Sequence, residues 1–190
     1  MPARPYETPI GGMIVRFCHL LAAGWRAAYP PSSYETRVIE KAMTLLTHLG
    51  EGPAFPYAGQ PMHILAGHGG LPPGFAAMEL TVPGRFAGPI PHAHDEFDEA
   101  IYVLSGRLLV IGEGEPREAV PGSMFVAPRG HRHGFSNPSD EPARVLGLWA
   151  PPEPALAFMR DIGAALTPDT PPDPDRMREI YGRHASRLLP

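Results

Sequence analysis

Residues 92–106 read HAHDEFDEAIYVLSG, and this stretch decides the fold. Ala100, Ile101, Tyr102, Val103 and Leu104 form an apolar, β-favouring run closed by Ser105-Gly106, which predicts a strand ending in a turn. His92 and His94 precede it, two residues apart. On an extended segment that spacing puts both imidazoles on one face. Glu99 stands at the head of the strand. With Glu99 inward, alternation turns Ile101 and Val103 inward and Tyr102 outward. The acid then shares an apolar wall, which is costly unless a positive charge neutralises it. Residues 107–111 follow the turn at once, so the two strands are expected to pair as a hairpin.

Residues 122–137 read GSMFVAPRGHRHGFSN. Gly122 starts a strand over residues 124–127, and Pro128-Arg129-Gly130 turns the chain so that His133 returns toward the first stretch. Three imidazoles, His92, His94 and His133, together with the Glu99 carboxylate, make a donor set of borderline softness. It suits Fe, Mn, Co, Ni, Cu or Zn better than Mg or Ca. Four protein ligands on a metal that takes six leave two open positions, which is catalytic rather than structural in character.

The two stretches together carry H-x-H-x4-E-x6-G (His92, His94, Glu99, Gly106) and G-x5-P-x-G-x2-H-x3-N (Gly122, Pro128, Gly130, His133, Asn137). They resemble the paired motifs of the cupin superfamily, separated by residues 107–121. One position departs: Phe86 stands where the first motif usually opens with Gly, between Gly84 and Gly88. The resemblance spans residues 60–150, and the C-terminal tail is similar to that of small single-domain, quercetin dioxygenase-like cupins. It implies a mainly β fold, a jelly-roll (double-stranded β-helix) barrel, with His92, His94, Glu99 and His133 as metal ligands. It further implies Fe(II) as first choice of metal, oxygen chemistry on an enolic or aromatic small molecule, a second role for Glu99 as base, and a homodimer. A non-oxidative isomerase, cyclase or lyase, or a non-catalytic small-molecule-binding cupin, are the alternatives.

Further strands are expected over residues 62–66, 75–82, 133–136 and 144–150, bounded by Gly and Pro. The organisation is therefore an N-terminal helical extension (residues 1–58), a β-barrel (59–150) and C-terminal helices (151–190). In the first part, Ser32 to Glu35 has capping-box spacing, Val38 to Leu49 has helical periodicity, and Gly50 can end the helix. In the last part a helix is expected over residues 153–166, and a second begins with Asp173 as N-cap and Pro174 as its first residue.

Composition agrees. Among 190 residues, 26 are Pro and 21 Gly, about a quarter, which excludes a long helical bundle. Hydrophobic residues at 43% and charged residues at 19% exclude a disordered chain. A net charge of −4 argues against nucleic acid as a partner. Lys41 is the single lysine among 16 basic residues, a bias typical of GC-rich bacterial genomes, and no phosphate-binding lysine loop surrounds it. The one cysteine, Cys18, permits no internal disulfide and fits a cytoplasmic setting. Residues 10–29 are too polar for a membrane span, so no membrane partner is expected.

The remaining candidates have plain readings. Asp98 is an alternative ligand to Glu99. His131 is expected at the surface, His63 and His68 at the surface or as proton carriers, and His19 and His48 as structural residues in helices. His184 is expected in solvent and Trp149 in the core. Arg85, Arg129 and Arg132 are expected solvated, or at the mouth against an acidic substrate.

Overall fold

The computed structural model describes residues 46–68, 74–167 and 173–189. Contacts divide the chain into Met1–Leu45 and Leu46–Pro190, and the described residues belong to the second unit. The expected helix through Leu49, with Lys41, falls outside them apart from residues 46–49, and Cys18 and His19 fall outside them too. Those four residues are not helical. Exposed His48 precedes a turn at Leu49-Gly50, and its backbone N–H donates to Glu51 Oε2 at 2.9 Å.

Strands dominate. One sheet runs β1 (Ala54–Tyr57), β2 (Gln60–Ala66), β3 (Ala76–Val82), β10 (Ala143–Ala150), β5 (Asp98–Ser105) and β8 (Met124–Ala127), in that spatial order. A three-stranded sheet is ordered β7 (Arg117–Ala119), β6 (Leu108–Ile111), β9 (Gly134–Ser136). A short ribbon pairs β4 (His92–His94) with β11 (Ser186–Leu188). All pairs are antiparallel. This is a jelly-roll arrangement, mainly β as expected. The sheet opens at Ala54, inside the stretch expected as helical extension, because Ala58-Gly59 forms a tight turn at positive φ that returns β1 onto β2.

The expected hairpin between residues 100–104 and 107–111 does not form. β5 pairs with β10 and β8, whereas β6 pairs with β7 and β9. Gly106, at φ +75°, is the corner between the two sheets. A Cβ there would lie 2.7 Å from Ala143 Cα, so only Gly lets the chain turn so close to β10. Alternation along β5 is as expected: Glu99, Ile101 and Val103 are buried and Tyr102 is exposed. The outward face of β5 and β8 leaves Leu104, Met124 and Val126 exposed as well.

Two helices follow the last strand. α1 (Pro152–Ala165) buries Ala155, Phe158, Met159 and Ile162 in the apolar core. Gly163 lets it approach β1, since a Cβ would sit 2.1 Å from the Pro56 carbonyl oxygen. α2 (Pro174–Arg183) begins as its sequence predicts, with Asp173 Oδ1 accepting the Asp175 backbone N–H at 2.9 Å. It buries Met177, Ile180 and Tyr181. The chain then adds β11 to β4, a strand in a region expected to be wholly helical.

Candidate metal centre

Three chain segments converge on one site. β4 carries His92 and His94, and β5 carries Glu99. His133 lies one residue ahead of β9 and pairs with His92 through two reciprocal backbone hydrogen bonds of 2.8 Å. The two motifs, far apart in sequence, are thus stitched at their histidines. His92, His94, Glu99 and His133 are all at most 5% exposed.

Each imidazole has one nitrogen committed. His92 Nδ1–H donates to Ile90 O at 2.8 Å, and His133 Nδ1–H donates to His131 O at 3.0 Å. Carbonyl oxygens only accept, so these hydrogen bonds fix the tautomers. His94 Nδ1 meets Ser186 Oγ at 2.8 Å, and Ser186 in turn donates to His184 O at 3.0 Å. The serine proton is spent on that carbonyl, so its oxygen accepts from His94. All three Nε2 atoms are therefore left as bare lone pairs.

These nitrogens face one another. Ligand atoms of His92, His94 and His133 lie within 4.8 Å of each other, and the Nε2 atoms of His92 and His94 are 3.1 Å apart. His133 Nε2 is buried with no hydrogen-bond partner. Two lone pairs opposed at that distance repel unless a cation lies among them. Burial, followed by the neighbouring His133, lowers the His92 pKa to about 3. Burial, then His92 and His133, pushes His94 lower still. At neutral pH both rings are uncharged, so a proton does not fill the role, and neutral imidazole is the form that binds metal. The triad suits a divalent metal.

Glu99 borders the triad. Its Oε1 is 3.7 Å from His133 Nε2, and its Oε2 is 3.9 Å from His94 Nε2. Trp149, opposite Glu99 in the β10–β5 register, donates its Nε1–H to Oε2 at 2.7 Å. Trp149 is in the core, as its sequence suggests, yet it also holds the acid, which no local pattern announces. Ser186 is the second residue that sequence reasoning misses, because it reaches His94 across 92 positions through the β11–β4 pair. The carboxylate-plus-donor arrangement around the metal-facing groups is what orients ligands in metal sites generally.

Aromatic rings close the centre. Phe97 stacks on His94 with centroids 4.1 Å apart. Phe158 of α1 meets His94 edge-on at 4.7 Å, and Tyr181 of α2 meets His92 at 5.0 Å. Beside His92, Glu99 and Trp149, Phe158 and Tyr181 help enclose a cavity of about 20 Å³, room for roughly one water molecule.

The other sequence candidates lie elsewhere. Asp98 is not a ligand: its carboxylate accepts from Arg129 Nη2 at 3.0 Å, and that hydrogen bond holds its pKa below the usual range. Arg85 pairs with Asp140, and Arg132 donates to Leu189 O and Gly112 O, each at 2.8 Å. None of the three arginines lines the cavity, and neither do His63 and His68. His131 is exposed as expected. His184 corrects the expectation of a solvated ring. Its side chain is 13% exposed and contacts Asp161 Oδ2 at 2.9 Å, because α2 returns it against α1. Asn137, expected as a turn residue, is fully buried, and its Nδ2 donates to Pro83 O at 3.0 Å and Glu141 O at 2.8 Å.

A jelly roll with a buried imidazole triad where two motifs meet is the arrangement of a candidate metal-site barrel. The cupin domain family matches residues 78–150, so the barrel contains a cupin domain. It is 34% identical over 104 residues to germin-like protein subfamily 2 member 3 of Arabidopsis thaliana, covering 52% of this chain and 46% of the relative. It is equally 34% identical over 104 residues to polyketide synthase CurC of Streptomyces cyaneus, covering 53% of this chain and 65% of that protein. The chain thus spans less than two thirds of either relative. A solved RmlC-like cupin from Shewanella frigidimarina shares the fold at a TM-score of 0.50 and 17% identity, covering 60% of this chain and 96% of that one. Among the described residues no helix is long and apolar enough to cross a membrane.

Proposed function

We propose that this chain is a metal-dependent dioxygenase of a small enolic or aromatic molecule, with His92, His94, Glu99 and His133 holding Fe(II). The observation that carries this reading is the set of three buried, bare Nε2 atoms facing one another beside Glu99. When bound, the metal supplies Lewis-acid polarisation and, as iron, redox chemistry with O₂. The chain's own residues do the rest. The Nδ1 contacts lock the rings, and Trp149 occupies Glu99 Oε2, leaving Oε1 to face the ion or take a proton from an enolic O–H. Phe158, Met159 and Tyr181 exclude bulk water.

A second reading is a non-oxidative cyclase, isomerase or lyase on the same ligands, since a divalent metal held by them would act as a Lewis acid without O₂. Elemental analysis of the purified chain comes first, followed by O₂ uptake by the iron-loaded protein with quercetin and acetylacetone. Uptake matched to substrate loss supports the dioxygenase. Absence of uptake, with anaerobic turnover by the zinc-loaded protein, replaces it by the second reading. Stoichiometric metal retained by a His92→Ala, His94→Ala double variant overturns the ligand assignment behind both.

A further inference from the structure

We propose that Arg132 is a positioning residue for the metal centre: it holds the segment after α2 in the one register that brings Ser186 to His94. The inference rests on the proposed function only in taking His92, His94 and His133 as ligands of one metal. β4, which carries two of them, is flanked on both sides. On one side His92 exchanges backbone hydrogen bonds with His133, and the Gly130 N–H donates to His94 O at 2.7 Å. On the other side lies β11, with Ser186 opposite His94 and Leu188 opposite His92. β11 has only three residues, so its ladder alone specifies the register weakly. A slip of one residue would set Ala185 or Arg187 opposite His94 and turn the Ser186 hydroxyl to the other face. His94 would then lose the acceptor that fixes its tautomer.

Arg132 secures the end of β11. It directly precedes His133, and its side chain is half-buried. Its Nε–H donates to Leu189 O and its Nη1–H to Gly112 O, each at 2.8 Å. The guanidinium thus ties the residue that follows β11 to the residue that follows β6. A planar fork holds two carbonyls in fixed geometry, which a single ammonium does not. Leu189 N–H also donates to Pro91 O at 2.7 Å, and at the other end of β11 the Asp95 N–H donates to Ala185 O at 2.9 Å. The exposed Arg187–Asp95 pair adds little. Backbone strain points the same way. Ala185 sits at φ +45°, a left-handed conformation unfavourable for a residue with a Cβ. It separates Ser186 from His184, whose carbonyl takes the serine proton. Such a turn persists only where flanking contacts hold it. By charge alone, a guanidinium one residue from a ligand opposes a cation. Charge and positioning therefore predict opposite effects of removing it.

The test compares the full-length wild type with Arg132→Met, which keeps a long apolar stem and deletes the donors. Zinc Kd, by chelator competition, should rise about 3- to 10-fold, short of the loss from removing a direct partner of a ligand. Long-range ¹H–¹⁵N spectra of the metal-free chain should show His94 alone gaining Nε2-protonated tautomer, since Ile90 and His131 still hold His92 and His133. Arg132→Lys should restore part of both effects, and it carries the same readouts if Arg132→Met fails to fold. In a Ser186→Ala background, Arg132→Met should change zinc affinity less than about 2-fold, because its route to His94 is already cut. An unchanged His94 tautomer, equal change at all three histidines, tighter zinc binding, or full additivity with Ser186→Ala overturns the proposal. A lower urea midpoint with His94 unchanged overturns it too, since that is the mark of a structural role alone. Failure of the wild type to bind zinc counts against the metal centre and the proposed function, while the metal-free His94 spectrum still judges Arg132.

Discussion

Trp149→Phe is the sharpest perturbation of this site. It keeps an aromatic ring in the core and deletes the one N–H that reaches Glu99 Oε2, a 2.7 Å contact between groups that are 1% and 5% exposed. A hydrogen bond to a buried charged acceptor contributes about 1.5–3 kcal/mol. Its loss also frees the carboxylate to rotate away from His133. Outer contacts of this kind typically change metal affinity by about 10- to 100-fold. Competition for Zn²⁺ against a chromophoric chelator should therefore show a 10-fold or larger rise in Kd. Trp→Phe also shrinks a packed side chain, so the comparison needs a double-mutant cycle with Glu99→Gln. The pair should couple by about 1 kcal/mol or more in metal binding. Coupling indistinguishable from zero would refute the claim that the indole acts through Glu99.

Three further outcomes follow from the same geometry. Ser186→Ala removes the acceptor that fixes the His94 tautomer, so zinc affinity should fall by about 10-fold in the same competition; unchanged affinity would remove Ser186 from the site. In the metal-free protein, burial lowers the His92 pKa to about 3 and that of His94 further, while the unfolded chain titrates near 6.5. Below the unfolded value the unfolded state binds more protons, so stability is full above about pH 6.5 and declines on acidification, by at most about 1.4 kcal/mol per pH unit for each ring. Urea midpoints at pH 8, 6 and 5 should fall in that order, and a flat profile would contradict neutral buried rings. Phe158→Ala should cost about 3–5 kcal/mol by emptying the site between His94 and Tyr181, and should speed zinc release to a chelator. Wild-type release rates in a folded variant would show that α1 does not limit access.

Local chemistry made much of the centre legible. The two-residue spacing of His92 and His94, and the alternation from Glu99 to Val103, are short-range consequences of an extended backbone. The Asp173-Pro174 helix start is equally local and forms as written. The hairpin after Ser105 was not legible, because sheet membership depends on what the strands meet. Gly106 permits the corner, but the crowding by Ala143 that makes it one comes from β10. His184 likewise reads as a polar residue near a chain end, and only the return of α2 against Asp161 buries it.

By its own pattern, the sequence singles out the candidate donor atoms: three imidazoles and a carboxylate, with His92, His94 and Glu99 on strands whose faces are set by period-2 alternation. Tertiary structure decides what those atoms are. Ile90 and His131 carbonyls, and Ser186 from 92 residues away, choose the tautomers, while Trp149 selects the free oxygen of Glu99. Helix α1 with Phe158 and helix α2 with Tyr181 decide that the centre is closed. The physical reason is range. Strand periodicity acts over neighbouring residues, whereas a proton's position and a cavity's wall depend on groups that only folding brings within hydrogen-bond distance.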